Sequence, residues 1–183
     1  MSSNAICVDP NSTALLVVDV QQALFERLTP IYQADELLDT ISDLVERAHA
    51  TGALVVYIRH GNKLLQPGSS GWQLHPRVQP ADDDLVIDKT HGDAFQDTSL
   101  DAELKARSIS NVAVTGLVTH GCVRATCLGG SNRGYDVILV ADGHSSYHRQ
   151  AARLIKEWNE TLAAALAFVL PAAEINFAPI QAD

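Results

Sequence analysis

Three residues with chemically useful side chains lie at or just beyond the ends of short apolar runs. Asp19 ends an apolar run that begins at Ala14, Lys89 closes the run from Asp84, and Cys122 follows a glycine-containing turn. A carboxylate can accept a proton, an amine can hold a negative charge in place, and a thiol can attack carbon. Together these side chains predict covalent catalysis with Cys122 as the nucleophile.

Cys122 is predicted to open a helix, because it follows a strand and a turn. A helix start presents free N–H groups and the positive end of the helix dipole, which lowers a thiol pKa from its usual value of about 8.5. The alternative is a small buried apolar side chain, as most single cysteines are. Position favours the catalytic interpretation for Cys122, whereas Cys127 within the helix and Cys7 near the N-terminus keep the structural one.

Asp19 and Lys89 depend on each other for a catalytic interpretation. Apolar surroundings raise the pKa of a carboxyl group unless a cation or a donor compensates, and a base that later returns its proton needs such tuning. Alone, Asp19 could tie a loop and Lys89 could be a solvated residue at a strand end. Only the combination with Cys122 favours catalytic roles for both.

Three histidines could line the site or pack in the loops around it. His120 precedes the cysteine by two residues and could contact substrate or form a Cys–His pair. His60 and His75 are fifteen positions apart without an acid-x-His pair, which is a weak metal-binding pattern. We therefore expect no metal and no cofactor, and the chain has neither GxGxxG nor a Walker A sequence.

The elements that must position these residues follow from the hydrophobic pattern. Apolar runs separated by segments of helical spacing predict a parallel sheet covered on both faces, in a single α/β domain over residues 1–183. The predicted strands are Ala14 to Val20, Ala53 to Arg59, Asp84 to Lys89, Val112 to Leu117 and Val137 to Ala141, with a weaker sixth at Glu174 to Phe177. The predicted helices are about Asp35 to Thr51, Leu100 to Arg107, Cys122 to Arg133 and His148 to Val169. Ligands of such sheets bind beyond the carboxyl ends of the strands, where the polar candidates cluster.

The segment from Gly61 to Pro80 is long, rich in Gly, Pro and Ser, and carries Trp72. Loops of that length inside a compact domain usually have a function. Because the strands on both sides belong to one alternating pattern, we interpret the segment as a cover over the site and not as a domain linker.

Composition narrows the class of partner. The 183 residues carry a formal net charge of -9, which opposes binding to nucleic acid or to an anionic membrane. Three cysteines without CxxC spacing suggest no disulfide framework. The start MSSNAICVDP lacks the pattern of a signal peptide, and no apolar stretch is long enough to span a bilayer. We expect a cytoplasmic protein acting on a small molecule.

Three ordered blocks resemble the isochorismatase-like cysteine hydrolases, the superfamily that includes nicotinamidase and N-carbamoylsarcosine amidohydrolase. They are ALLVVDVQQALF from Ala14, VIDKTHGDAFQDTSL from Val86 and VTGLVTHGCVRATCLGGSNRGYDVILVAD from Val114. Their order and separation agree with the superfamily from about residue 12 to residue 178. Three motifs in the right order make this a specific resemblance.

The resemblance implies a catalytic triad of Asp19, Lys89 and Cys122 in a three-layer α/β/α sandwich with a six-stranded, mainly parallel, Rossmann-like sheet. It also implies a non-proline cis peptide between Leu117 and Val118, and an oxyanion hole made of the N–H groups of Val118 and Cys122. By the same resemblance we expect a homo-oligomer, either dimer or tetramer. The implied substrate-binding residues are Gln21, Phe25, His60, Trp72 and His120.

The implied reaction is hydrolysis of a C–N bond in a small amide, ureido or carbamoyl compound through a thioester on Cys122. The acid-x-His metal motif of nicotinamidases is replaced here by YIRHGN at Tyr57 to Asn62, which argues against a metal and against nicotinamide. The vinyl-ether hydrolases of the superfamily lack the cysteine, so amide hydrolysis is favoured. The alternatives are such a vinyl-ether hydrolase, a redox protein that also uses Cys127, and a catalytically idle binding protein.

Overall fold

A computed structural model describes residues 6–166 and 168–178. Within them, the chain forms eight strands and five α-helices. The strands are β1 (Ile6–Val8), β2 (Thr13–Val18), β3 (Leu54–His60), β4 (Leu85–Lys89), β5 (Asn111–Leu117), β6 (Asp136–Ser145), β7 (Phe168–Leu170) and β8 (Ile175–Phe177). The helices are α1 (Gln22–Phe25), α2 (Ala34–Thr51), α3 (Leu100–Ala106), α4 (Arg124–Ser131) and α5 (Ala151–Ala163).

Six strands form one sheet in the order β4-β3-β2-β5-β6-β7, and every pairing in it is parallel. The chain moves outward from β2 in one direction and from β5 in the other, so the strand order reverses between these two central strands. The carboxyl ends at such a reversal leave a crevice between diverging loops, which is where ligands bind in open α/β sheets. Asp19 follows β2, and the turn containing Cys122 follows β5.

Alternate residues of the central strands enter two separate cores. Leu15 and Val17 of β2 pack on the α2 side, whereas Leu16 and Val18 pack on the side of α3, α4 and α5. Successive side chains of a strand point to opposite faces, so a strand that is apolar throughout must be covered twice. The three-layer α/β/α prediction is confirmed.

Helix α2 agrees closely with the helix predicted from the sequence. Its buried residues recur at helical spacing, and Gly52 ends it in the left-handed conformation, with φ 74°. The Gly52 N–H donates to the carbonyl oxygens of Ala48 and His49 at the end of the helix. The helix and its C-cap glycine are confirmed, with the start one residue earlier than predicted.

The C-terminal prediction was wrong in two places. Strand β8 forms within the predicted Glu174 to Phe177 segment, but it pairs with β1 in a separate two-stranded sheet. The sixth strand of the main sheet is β7, which overlaps the end of the segment predicted as helix up to Val169. The run ALAFVLP satisfies helical spacing, but its aromatic and β-branched residues fit a strand and Pro171 cannot continue a helix.

The segment after Cys122 also differs from the prediction. Residues Thr119–Val123 form a π-type turn, within which Gly121 is not helical, and the regular helix α4 starts only at Arg124. Helix α4 ends at Ser131, two residues earlier than predicted. The cysteine therefore lies in an irregular turn and not in the first turn of the helix.

The Gly61 to Pro80 segment folds back over the sheet edge. It contains one 3-10 turn, Ser70–Trp72, and Leu74 forms an isolated antiparallel bridge with Gln21. Trp72 and Leu74 are buried in the core on the α2 side. Among the described residues, no helix has the length and apolar character needed to cross a membrane.

Candidate active site

Asp19 stands directly after the central strand β2, and its backbone is in the left-handed region, with φ 54°. Its N–H donates to the carbonyl oxygen of Ile58 at 2.8 Å, which holds the residue against the end of β3. Asp tolerates this conformation better than most residues do. The carboxyl group is thereby turned into a space with almost no solvent exposure.

Lys89 ends β4, and its side chain is completely buried. Its Nζ donates to Asp19 Oδ2 at 2.8 Å, to His60 Nδ1 at 3.0 Å and to the carbonyl oxygen of His91 at 3.2 Å. An ammonium group has three N–H donors and no acceptor, so these contacts occupy it fully. Lys89 is held as a fixed positive charge beside Asp19.

The second carboxylate oxygen of Asp19 lacks a hydrogen-bond partner. Oδ1 is buried and receives no donor among the described residues, although Oδ2 is bound by Lys89. Burial raises the pKa of Asp19, and the charge and hydrogen bond of Lys89, together with the nearby Cys122 thiol, oppose that rise without cancelling it. An unsatisfied buried oxygen with a raised pKa is ready to accept a proton.

The thiol of Cys122 lies beside that carboxylate. Its Sγ, a carboxylate oxygen of Asp19 and a ring nitrogen of His60 all lie within 4.8 Å of one another. The thiol is half-buried, so it reaches both the buried pair and the outside. These distances place a thiol, a carboxylate and an imidazole at one point of the sheet edge.

The predicted lowering of the Cys122 pKa is contradicted. Burial and the neighbouring Asp19 carboxylate raise the pKa of the Cys122 thiol to about 12, and Lys89 offsets only part of this. The expected help from a helix start is weak, because the irregular turn separates the sulfur from α4. At neutral pH the Cys122 side chain is therefore a thiol that lies beside the Asp19 carboxylate.

Several bonds fix the turn that carries the cysteine. The Leu117–Val118 peptide is cis, and the Val118 carbonyl accepts the N–H groups of Gly121 and Val123. Thr119 Oγ1 lies 3.0 Å from the Ser145 carbonyl oxygen and 2.9 Å from His144 Nδ1. Burial lowers the pKa of His144 to about 4, so the imidazole in this network is neutral. The turn is thus tied to the end of β6.

Gly116 is a residue that the sequence analysis did not single out. It has φ 111°, and a Cβ at this position would overlap the carbonyl oxygen of Val18 on the adjacent strand. The register of β5 against β6 also shifts between Val114 and Gly116. A glycine inside a strand signals such a close backbone approach, and here the approach brings β5 against the residue before Asp19.

Gln21, predicted to bind substrate, uses its amide on the protein itself. Its Oε1 accepts the His60 N–H at 2.8 Å, and its Nε2 donates to the carbonyl oxygens of Trp72 at 2.8 Å and His60 at 3.1 Å. The side chain is fully buried. This arrangement fits a positioning role better than the predicted substrate contact, because it joins the end of β3 to the covering segment.

The other predicted substrate-binding residues make separate contacts within the protein. Trp72 is buried beneath Arg59, whose guanidinium carbon lies 3.7 Å from the ring centroid, and its indole N–H is buried without a partner in the described chain. Phe25 packs against the His75 ring at 4.6 Å between centroids. His120 Nδ1 lies 3.5 Å from Ser146 Oγ. The histidine that joins the thiol and the carboxylate is His60.

Asp19, His60 and Cys122 could in principle supply three metal ligands. However, Lys89 donates hydrogen bonds to both the carboxylate and the imidazole. A positive charge already fixed between these groups repels a second cation. The prediction that no metal binds is consistent with this charge arrangement and stays a prediction.

Comparisons with known proteins identify the family of this chain and relatives of known name. A sequence model described as the isochorismatase domain matches residues 13–166. The chain is 38% identical over 142 residues to a streptothricin hydrolase from Streptomyces noursei, a match covering 76% of this chain and 56% of that protein. The chain thus spans little more than half the length of that relative.

A second relative and a solved structure extend the agreement. The chain is 28% identical over 196 residues to a ureidoacrylate amidohydrolase from Acinetobacter baylyi, covering 83% of this chain and 80% of that protein. The crystal structure of a cysteine hydrolase from Pseudomonas syringae pv. phaseolicola superposes with a TM-score of 0.85 at 24% identity, covering 95% of this chain and 96% of the other. This likeness confirms the predicted fold.

Proposed function

The chain belongs to the isochorismatase family, and we propose that it hydrolyses a C–N bond of a small amide, ureido or carbamoyl compound through a thioester on Cys122. The observation that carries this proposal is the buried, unpartnered Oδ1 of Asp19 next to a half-buried thiol. A carboxylate in that position has no structural bond to make on that side. It is available to take the thiol proton.

In the first step, Asp19 accepts the proton of Cys122 while the sulfur attacks the substrate carbonyl carbon. The carbonyl π electrons move to oxygen, and the N–H groups of Val118 and Cys122 donate to that oxyanion. Burial and the Asp19 carboxylate raise the pKa of the thiol, so Cys122 starts the step protonated and gives its proton to Asp19 as it attacks. Lys89 stays protonated and stabilises the carboxylate before the step and the thiolate character during it.

In the second step, the carbonyl re-forms, the C–N bond breaks, and the leaving nitrogen takes the proton from Asp19. A water molecule then attacks the thioester carbon, and Asp19 accepts a proton from this water. The C–S bond breaks, and Asp19 returns the proton to the sulfur. The products are ammonia or an amine and the acid, and the thiol and carboxylate are regenerated.

The relatives support amide chemistry as the reaction class. One is named for hydrolysis of streptothricin and another for amide hydrolysis of ureidoacrylate. The electrostatic arrangement agrees, because a resting thiol paired with a base suits acyl transfer to a carbonyl. No step of this mechanism requires a metal or a cofactor.

The redox alternative finds little support in the position of Cys127. Its side chain is completely buried in the core on the α4 side, and burial raises the pKa of its thiol to about 12. A thiol that is shielded and protonated is a poor partner for disulfide exchange. Cys127 therefore keeps its interpretation as a packing residue.

The test is ammonia or amine release from a panel of primary amides, N-carbamoyl amino acids and ureido acids. We expect Cys122→Ala to abolish turnover and Cys7→Ala, at an exposed position on β1, to leave it unchanged. Rapid quench and intact-mass measurement should detect an acyl group on the wild-type chain and none on Cys122→Ala. Turnover by Cys122→Ala equal to wild type would rule the proposal out.

A further inference from the structure

The four groups at the sheet edge differ sharply in exposure. Asp19 and Lys89 have side chains that are 4% and 0% exposed, whereas Cys122 and His60 are half-buried. Asp19 and Lys89 therefore lie at the buried end of the site, and a bound molecule can contact the Cys122 thiol and the His60 imidazole. A substrate bonded to Cys122 has His60 beside it, because a ring nitrogen of His60 lies within 4.8 Å of the sulfur.

Lys89 determines which nitrogen of His60 carries the proton. Its ammonium group lies 3.0 Å from Nδ1, and an ammonium can meet a ring nitrogen only as a donor. Nδ1 must therefore be the unprotonated acceptor, which leaves the hydrogen on Nε2. Burial and the charge of Lys89 both lower the pKa of His60, so the ring is neutral near pH 7.

The backbone of His60 is held as firmly as its ring. Its N–H donates to Gln21 Oε1 at 2.8 Å, and its carbonyl oxygen accepts Gln21 Nε2 at 3.1 Å. With the backbone fixed by Gln21 and Nδ1 fixed by Lys89, the imidazole has little freedom to turn. Its Nε2–H points away from Lys89, because the two nitrogens of an imidazole ring face different directions.

We propose that His60 is a substrate-contacting residue whose Nε2–H donates to a lone pair beside the scissile carbonyl, so that the enzyme selects amides carrying an oxygen or nitrogen acceptor there. The proposal rests on the hydrolytic function proposed above and adds to it a substrate class. No proton moves to or from His60, which acts only as a fixed donor. A neutral donor of this kind rejects an isosteric methylene, because the N–H would lose its partner on substrate binding.

Two substitutions separate the two nitrogens of His60. In His60→Asn the side-chain oxygen lies near the Nδ1 position and keeps the contact to Lys89, but the Nε2–H is lost. In His60→Gln the side-chain amide N–H lies near Nε2, but the acceptor for Lys89 is lost. His49→Gln is the matched control, since His49 is paired with Asp84 on another part of the surface.

The substrates for the comparison are methoxyacetamide and butyramide, which differ by an oxygen in place of a methylene. The wild type and His60→Gln should prefer methoxyacetamide over butyramide by a similar factor in kcat/KM. In His60→Asn this factor should be about 10-fold smaller. The inductive effect of the ether oxygen on the substrate is the same for every variant, so it cancels when the preferences of the variants are compared. The same preference in all variants, or a greater loss in His60→Gln than in His60→Asn, would overturn the proposal.

A second measurement does not depend on turnover. In ¹⁵N-labelled wild-type protein at pH 7, the two ring nitrogens of His60 give shifts that identify the tautomer, and the His60 variants assign the signal. We expect a pyridine-like Nδ1 and a protonated Nε2, and a Nδ1–H tautomer or a doubly protonated ring would overturn the proposal. Failure of every amide to react would count against the hydrolytic function, whereas turnover with an unselective His60 would count against this inference alone.

Discussion

Two ion pairs of this molecule have similar geometry and opposite surroundings. Lys89 and Asp19 meet at 2.8 Å with side chains 0% and 4% exposed, and Arg153 and Glu157 on α5 meet at 2.6 Å with side chains 72% and 55% exposed. The buried pair has lost its hydration, so each partner depends on the other, whereas water can replace either partner of the exposed pair. Contact distance alone therefore says little about what an ion pair contributes.

Removing the cation of the buried pair should have the largest effect. Lys89→Met leaves the Asp19 carboxylate buried without its partner, so we expect the free energy of unfolding to fall by about 3 kcal/mol at pH 8. The pKa of Asp19, already raised by burial, should rise further when the charge of Lys89 is lost. Urea denaturation and the pH profile of kcat/KM measure the two effects.

The pH dependence of this variant has a definite sign. A carboxyl group whose folded pKa lies above its unfolded pKa binds more protons in the folded state, so its contribution is favourable at low pH and is lost as pH rises through the folded pKa. The stability deficit of Lys89→Met should thus be smaller at pH 5 than at pH 8, and its acid limb of activity should move to higher pH. An equal deficit at both pH values would argue that Asp19 is not the group left uncompensated.

A backbone change at the same edge should come next. Gly116→Ala combines a positive φ with an overlap on the Val18 carbonyl oxygen, so we expect a loss of about 3 kcal/mol in stability and a loss of activity. Gly134→Ala is the matched control, because Gly134 has φ 88° but nothing within 4 Å of a Cβ. It should cost about 1 kcal/mol. Equal melting temperatures for both variants would contradict the claim that β5 approaches β2 too closely at Gly116 to admit a side chain.

The exposed pair should give the smallest effect. In a double-mutant cycle of Arg153→Ala and Glu157→Ala, the coupling energy measured by urea denaturation should be about 0.5 kcal/mol or less. The value should fall further at high salt, because exposed charges are screened. A coupling energy comparable with that of the buried pair would break the comparison.

The sequence predicted the sheet edge well, because the relevant information is local. Apolar runs ending in Asp19 and Lys89 define strand ends, and carboxyl ends of neighbouring parallel strands must meet at one edge. That reasoning brings Asp19, Lys89 and the Cys122 turn together before any coordinates. It also identified Gly52 as the end of α2, since only local backbone conformation is involved.

Properties that depend on several elements could not be predicted in the same way. The pKa of Cys122 was expected to fall from its position on one helix, but burial and Asp19, which come from other elements, raise it. Gln21 was expected to bind substrate, but its amide is bonded to His60 and Trp72, which lie 39 and 51 residues away in the sequence. Strand β7 was missed because its short apolar run continues the helical spacing of the preceding segment, and its pairing with β6 is not visible in the sequence.

The central claim is that Cys122 rests as a thiol and that Asp19 takes its proton during attack. Thiolate absorbance near 240 nm, measured against pH for the wild type, Asp19→Asn and Cys122→Ala, tests this most directly. In the wild type we predict no Cys122 thiolate at pH 7. In Asp19→Asn we predict that the thiolate forms at a lower pH than in the wild type and that multiple-turnover hydrolysis is lost. A thiolate at pH 7 in the wild type, or full turnover by Asp19→Asn, would contradict the account.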